Sequence, residues 1–334
     1  MNYDSHDWVI VLAAGEGSRL RTLTTDEDGR TRPKQFCSLY GEKSLLQETL
    51  ARAERITSSE RIVVVVAAQH DCWWRTQLDE IPPENVIVQP RNLGTAPGIL
   101  LPLVHVLARD AESRVTVLPS DHHVRDEAVL ASSLRHALNS IESQPGGLIL
   151  LGMTPDGPET EYGWIVPASA TARGPVSIRT FVEKPPPNVA ERLLRTGALW
   201  SSFLLVTNGH ALFARFERCL PRWVEALRGV DTLATATLEK RYAGLDARDF
   251  SREFLQDDGV ALRVLRVPTC GWTDLGTPRR VVACLEGLDW REIEQRRSST
   301  RPERWADSVH DLRAAVLRAR SAAGSVAVAN AGAS

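Results

Sequence analysis

A chain of 334 residues, 43% hydrophobic and 25% charged, has the composition of an ordinary globular protein and the length to bury a large α/β domain with attachments. Its 40 basic and 42 acidic residues leave a formal charge of -2, so no global basic field exists to gather nucleic acid or an anionic membrane, and any anion site has to be local. The five cysteines, Cys37, Cys72, Cys219, Cys270 and Cys284, are odd in number and never form a CxxC pair, which argues against a disulfide framework or zinc knuckle and fits a reducing cytoplasm.

From the amino terminus onward, the polar opening MNYDSHDW lacks the basic-then-apolar order of a signal peptide, and no run of about 18 apolar residues occurs anywhere, so a cytoplasmic protein without a membrane span is expected. Short apolar, β-branched runs at residues 8–12, 61–66, 85–88, 114–118 and 148–151 then alternate with helical patterns. Unalternating runs of this kind predict strands buried on both faces of a mostly parallel sheet. Ser44 with Gln47 forms a capping box ahead of LLQETLARAERI, and Thr95 is the expected N-cap, with Pro97 in the first turn, of a helix running to Arg109. Strand then helix, repeated, predicts a doubly wound α/β architecture. From about Thr154 the rhythm changes to YGWIVPAS, VSIRTFVEKP and LWSSFLLV, which predicts a strand-rich lobe over about residues 154–206 laid against the sheet. Helical segments are expected over residues 208–255 and a strand over 260–267, leading into GWTDLGTPRR. After Gly287 the sequence turns charged and alanine-rich, so one domain of residues 1–287 is expected to carry a helical extension over 288–334 with a frayed tail.

The first predicted strand ends in VLAAGEGSRL, a glycine-rich turn at the carboxyl edge of a sheet, where open α/β folds place ligands. Gly15 and Gly17 let backbone N–H groups approach phosphate, while Leu20 stands where a dinucleotide fingerprint has its third glycine and no GK[ST] completes a P-loop. Arg19 and Lys34 are instead two cations suited to a triphosphate. Taken alone, Gly-x-Gly is more often a plain turn. Further along stand Arg32-Pro33-Lys34-Gln35-Phe36 with GEKSLLQETL, RNLGTAPGI at 91–99, Pro119-Ser120-Asp121-His122, PETEYGWI at 158–165, Phe181-Val182-Glu183-Lys184-Pro185 and Trp272-Thr273-Asp274-Leu275-Gly276.

In this order, these segments resemble those of the sugar-1-phosphate nucleotidyltransferases and, within them, the mannose-1-phosphate guanylyltransferases. The resemblance runs from residue 9 to residue 276, and its specificity comes from the ordered set, since no single segment suffices. It implies a Rossmann-like doubly wound mixed sheet, the GT-A-like nucleotidyltransferase core, with the strand-rich lobe binding the sugar. It also implies formation of GDP-mannose and pyrophosphate from GTP and mannose 1-phosphate, with Mg²⁺ as cofactor. Residue by residue, it implies that Leu12, Ala13, Ala14, Gly15 and Gly17, with Asn92, Thr95, Ala96 and Pro97, hold the nucleotide. Arg19, Lys34 and Asp121 are the implied catalytic residues, and Asp121 with Asp274 the implied metal ligands. Gly163, Glu183, Lys184 and Ser201 are the implied contacts to the sugar phosphate. The chemistry agrees independently: a phosphate oxygen is already an anion, so its attack on the α-phosphorus needs no general base and catalysis reduces to alignment and charge neutralisation.

Three departures stand out. The family's W-N-S/T-G segment is Trp200-Ser201-Ser202-Phe203 here, a serine for the asparagine that reaches sugar hydroxyls and a phenylalanine for the glycine. An acidic insert, residues 25–29, lengthens the loop between Arg19 and Lys34. No long carboxyl-terminal stretch remains for a cupin-like isomerase domain, so a single activity is expected. His70, His122 and His123 form no metal-ligand pattern with nearby cysteines, and cap or surface roles are expected for them. Rival readings are a uridylyl- or thymidylyltransferase acting on glucose 1-phosphate, told apart by which triphosphate yields pyrophosphate, and a non-catalytic sensor of nucleotide sugars, which has no need of the paired aspartates. Neither nucleic acid nor membrane is an expected partner, and a homodimer is left open.

Overall fold

In a computed structural model, residues 4–25, 29–39, 43–142, 147–170, 174–256 and 262–286 are described. Among the described residues nine strands form one sheet: β1 (Asp7–Ala13), β2 (Ile62–Ala67), β3 (Val86–Gln89), β4 (Arg114–Pro119), β5 (Leu148–Met153), β6 (Gly163–Pro167), β7 (Val176–Glu183), β8 (Leu199–Asn208) and β9 (Leu262–Arg266). Their spatial order is β3-β2-β1-β4-β8-β5-β9-β7-β6. The β1–β2, β2–β3, β1–β4 and β5–β9 pairs are parallel, whereas β8 runs antiparallel to both β4 and β5.

The apolar runs have no alternation because both faces of the sheet are covered. Along β1, Val9, Val11 and Ala13 face one core, shared with the helices Leu45–Ala53, Glu127–Glu142 and Pro187–Arg195. Trp8 and Ile10 face the other, shared with the helices Thr95–Arg109, Gly209–Cys219 and Pro221–Leu227. Burying each of these Val and Ile side chains contributes about 1.5–3 kcal/mol, so the sequence of β1 stabilises two layers at once. The capping box at Ser44 and Gln47 is present in both halves and starts the helix Leu45–Ala53. A smaller third core joins Leu20 and Leu23 to Val281 and Leu285 of the helix Pro278–Glu286, which seats that helix on the glycine-turn segment.

The structure revises two local expectations and resolves the detail of a third. The strand-rich stretch forms no second layer: β8 inserts between β4 and β5, and the β6–β7 hairpin extends the same sheet at its far edge. The helical region after β8 is broken into the helices Gly209–Cys219, Pro221–Leu227 and Thr235–Tyr242 and a π turn at Ser251–Leu255, with Pro221 opening the second because it cannot continue the first. At the helix Thr95–Arg109 the cap position belongs to Gly94, and the Thr95 hydroxyl instead accepts from the Phe250 N–H at 2.8 Å. The expected extension over 288–334 and residues 26–28 of the acidic insert lie outside the described residues. Among the described residues no helix is long and apolar enough to cross a membrane.

Gly94 has φ +95°, and a Cβ there would fall 2.3 Å from the Arg248 carbonyl oxygen. Gly94→Ala is therefore expected to lower stability by roughly 1–3 kcal/mol from backbone strain alone, read as a lower urea midpoint. An unchanged midpoint would show that this turn relaxes freely.

Candidate active site

The carboxyl ends of β1 and β4 open onto a cleft of about 340 Å³. Its walls include Leu12, Gly15, Gly17, Arg19, Thr95, Asp121, Gly163, Glu183, Lys184, Ser201 and Asp274, which sequence reasoning had picked from segments up to 262 residues apart, Leu12 to Asp274 (274 − 12). Backbone bonds hold the contributing loops together. Ser120 donates to the Leu12 carbonyl through both its N–H, at 3.1 Å, and its hydroxyl, at 2.7 Å. His123 and Thr273 exchange N–H to carbonyl bonds of 3.0 and 2.9 Å, so the loop after β4 is tied to the loop after β9. Asp121 and Asp274 thereby face one space.

Lys34 is 4% exposed, and its ammonium lies 2.9 Å from Asp121 Oδ2 while donating to the Asp274 backbone carbonyl. A buried ammonium without such partners would be costly. Burial works hardest, to raise the Asp121 carboxyl, but the charge and hydrogen bond of Lys34, with His122 and a backbone hydrogen bond, together outweigh it and lower the group to about 2, so Asp121 is an anion throughout the physiological range. Asp274 accepts from the Tyr162 hydroxyl and, at 2.8 Å, from the Gly276 N–H, both on Oδ1. Burial and the neighbouring Asp274 push the Tyr162 hydroxyl up, so it stays protonated and able to donate. Burial also lowers His122 to about 4 despite Asp121, and its Nδ1 lies 3.3 Å from the Trp272 indole N–H. Arg19, half exposed, reaches only to 3.6 Å from Glu161 and 3.9 Å from Asp274 Oδ2, a loosely held cation at the mouth of the cleft.

Two carboxylates on one wall fit Mg²⁺, which is commonly held by one or two carboxylates while keeping waters and taking phosphate oxygens. Among the described residues no group of three His, Cys, Asp or Glu could enclose a metal, so an all-protein cage is absent there.

The opposite wall carries Gly163, Glu183, Lys184 and Ser201. A Cβ on Gly163 would fall 2.9 Å from Glu183 Oε2, so this strand must present bare backbone. Burial, with Asp249 adding to it, raises the Glu183 carboxyl, and Lys184 and Arg252 oppose the rise. Among the described residues the left-handed non-glycine positions are Lys184 (φ 46°), Phe203 (φ 59°) and Leu275 (φ 48°), and all three fall in segments that build this cleft. Such strain persists only where surroundings hold it, and it concentrates at functional sites. Phe203 keeps a glycine-like backbone at the register shift between β5 and β8, with its ring 5.9 Å from that of Phe250.

Ala13, Ala14, Asn92, Ala96 and Pro97 do not line the cleft. Ala13 contributes its carbonyl, which with that of Gly15 accepts from the Gln35 side chain at 3.1 and 2.8 Å. The Ala14 carbonyl accepts from Asn92 at 3.4 Å. Ala96 and Pro97 are buried, and the Ala96 N–H is taken by the Arg248 carbonyl, so that amide is not open to a ligand. Among the cleft-lining residues that sequence reasoning did not select are Gln35, Glu161, Tyr162, Phe203 and Asp249. All but Asp249 lie inside the motif segments and were legible there; Asp249 sits in a stretch without local pattern and reaches the cleft only through the tertiary fold.

A profile of the Nucleotidyl transferase family matches residues 8–286. The chain belongs to the nucleotidyl transferase family. This nucleotidyl transferase is similar to Xanthan biosynthesis protein XanB of Xanthomonas campestris, 29% identical over 275 residues that cover 80% of this chain and 57% of that one. It is also similar to a mannose-1-phosphate guanylyltransferase of Klebsiella pneumoniae, 29% identical over 223 residues, 65% of this chain and 46% of that one. The nucleotidyl transferase thus spans about half the length of these curated relatives. A solved structure described as mannose-1-phosphate geranyltransferase from Thermus thermophilus superposes with a TM-score of 0.72 at 29% identity, over 85% of this chain and 80% of that one.

The lowered Asp121 carboxyl, whose ordinary value is 3.8, contributes stability that is present above that value and lost as pH falls through about 2. Lys34→Gln removes the largest of the influences that lower it. The urea-midpoint gap between wild type and variant is therefore expected to be wider at pH about 6 than at pH about 3. A gap independent of pH would mean that Lys34 stabilises by packing alone.

Proposed function

We propose that this nucleotidyl transferase condenses a nucleoside triphosphate with a sugar 1-phosphate, and that GTP and mannose 1-phosphate are its preferred pair. A sugar-phosphate oxygen attacks the α-phosphorus, the bond from that phosphorus to the bridging oxygen of the β-phosphate breaks, and pyrophosphate leaves with the bonding electrons. The observation that carries this reading is the joint exposure, on one cleft, of the glycine turn with Arg19, the Lys34-linked Asp121 and Asp274, and the Glu183–Lys184 pair. The choice of guanine and mannose is supported by the segments around Lys34 and Glu159 to Ile165 and by the description of the Klebsiella relative.

In this reading Gly15, Gly17 and Arg19 hold the triphosphate, and Lys34 meets charge that grows at the α-phosphate. Asp121 and Asp274 would hold Mg²⁺, which when bound neutralises phosphate charge and helps to align the reacting groups. Lys184 holds the sugar phosphate, and Glu183 and Ser201 face the sugar hydroxyls. Water exclusion and alignment supply the rest, since the nucleophile arrives as an anion.

A pyrophosphate-release screen of four nucleoside triphosphates against several sugar 1-phosphates tests the pairing. GTP with mannose 1-phosphate is expected to give the highest kcat/KM; UTP or dTTP with glucose 1-phosphate giving more would overturn the substrate assignment and keep the reaction type. Asp121→Ala and Asp274→Ala are each expected to nearly abolish turnover in folded protein, and near-normal turnover in excess chelator would refute the metal role.

The two lysines should separate kinetically. Lys34→Ala is expected to lower kcat about 10²- to 10³-fold, as for the loss of one oxyanion donor. Lys184→Ala should instead raise KM for the sugar 1-phosphate far more than for the triphosphate, because the phosphate it holds is charged before and during reaction. A large loss of triphosphate affinity on Lys184→Ala, measured by titration without sugar phosphate, would assign that lysine to the nucleotide side.

A further inference from the structure

Arg280, on the helix Pro278–Glu286, does not line the cleft, yet its guanidinium is held by an unusual set of neighbours. Its Nε and one terminal nitrogen lie 3.1 and 2.8 Å from Glu159 Oε2. Its central carbon stands 4.5 Å from the Tyr162 ring centroid and 4.8 Å from that of Trp200, and those two rings meet edge to face at 5.0 Å. Both residues of the ion pair are largely covered, with 17% and 22% of the side chains exposed. The guanidinium therefore sits on the Tyr162 ring in a position fixed from the far side by Glu159, a cation–π arrangement that strengthens as water is excluded.

The far end of that ring is the hydroxyl that donates to Asp274 Oδ1, the oxygen also bonded by the Gly276 N–H at 2.8 Å. An aspartate carboxylate turns easily about its last bond, and two donors on one oxygen stop that rotation. What they leave is Oδ2, within ion-pair range of which, among the described residues, stands Arg19 alone at 3.9 Å. We propose that Arg280 is a positioning residue: by clamping the Tyr162 ring it fixes the Asp274 carboxylate with Oδ2 presented to a divalent cation in the cleft. The inference rests on the proposed function, in which Asp274 holds that cation, and adds two residues, Arg280 and Tyr162, that act on it from outside its contacts. The same helix packs Val281 and Leu285 on Leu20 and Leu23, so one element supports both the segment bearing Arg19 and the carboxylate opposite it.

The test uses Mn²⁺ binding to the full chain with GTP present, followed by electron paramagnetic resonance, beside the metal concentration that gives half-maximal turnover. Tyr162→Phe removes only the hydroxyl, Arg280→Met removes the charge while keeping bulk, and Arg280→Lys keeps the charge without the planar stack. Tyr162→Phe and Arg280→Met are each expected to weaken Mn²⁺ binding about 10-fold or more, the usual loss on removing a partner that orients a ligand, with Arg280→Lys between wild type and Arg280→Met. KM for the sugar 1-phosphate should stay within about twofold of wild type, since Gly163, Glu183, Lys184 and Ser201 all keep their side chains. The double variant Tyr162→Phe with Arg280→Met should bind Mn²⁺ no worse than the weaker single variant, because both act through one contact. Losses that multiply, or Mn²⁺ binding unchanged in Arg280→Met while Tyr162→Phe weakens it, would overturn the clamp. Asp274→Asn is the control for the underlying reading: if it leaves Mn²⁺ binding intact, the metal role of Asp274 fails and the clamp fails with it, an outcome distinct from failure at Arg280 alone.

Discussion

The arrangement depends on one buried ammonium. Lys34 sits between the Asp121 carboxylate and the Asp274 backbone carbonyl, joining three segments that are remote in sequence. A charge removed from water is tolerated only where its partners are held in place, so the loops that carry them must be ordered before any substrate arrives. The network around Lys34 meets that requirement: Ser120 is bonded to Leu12, His123 to Thr273, and Gln35 to the carbonyls of the glycine turn. Gly17 is constrained by the backbone of the same lysine. It adopts φ +61°, and a Cβ there would fall 2.9 Å from the Lys34 backbone nitrogen.

The sheet makes this convergence possible by burying both faces of β1, β2 and β4 and leaving their carboxyl ends free. Strain appears where the scaffold gives way to the site. Lys184, just past the end of β7, Phe203, at the register shift between β5 and β8, and Leu275, in the loop after β9, hold left-handed backbone in the segments that line or border the cleft. In the proposed reaction such pre-set geometry matters more than any proton transfer, because the nucleophile is already charged and the catalytic work is to align it and neutralise growing charge.

The sequence was most readable where a physical signal is local. Runs without alternation marked β1, β2 and β4 because burial on two faces removes any need for polar residues, and the glycine turn at Gly15 and Gly17 announced itself by spacing. Pairing was not readable in the same way: the apolar pattern of β8 is compatible with a lobe of its own, and only tertiary contacts insert it antiparallel between β4 and β5. The shift of the cap from Thr95 to Gly94 has a similar origin, since the Thr95 hydroxyl is drawn to the Phe250 N–H, 155 positions away in sequence. Asp249 and Arg280 carried no local signal. They matter through what the fold sets beside them, Glu183 for the first and Tyr162 for the second.

The proposed reaction is a single direct displacement at the α-phosphorus in a cleft that supplies alignment and charge but no protein nucleophile. The most direct measurement is the stereochemical course with a triphosphate made chiral at that phosphorus by sulfur substitution. One in-line displacement predicts inversion of configuration in the nucleotide-sugar product. Retention would require two successive displacements through a nucleotidyl-protein intermediate, and would contradict the account.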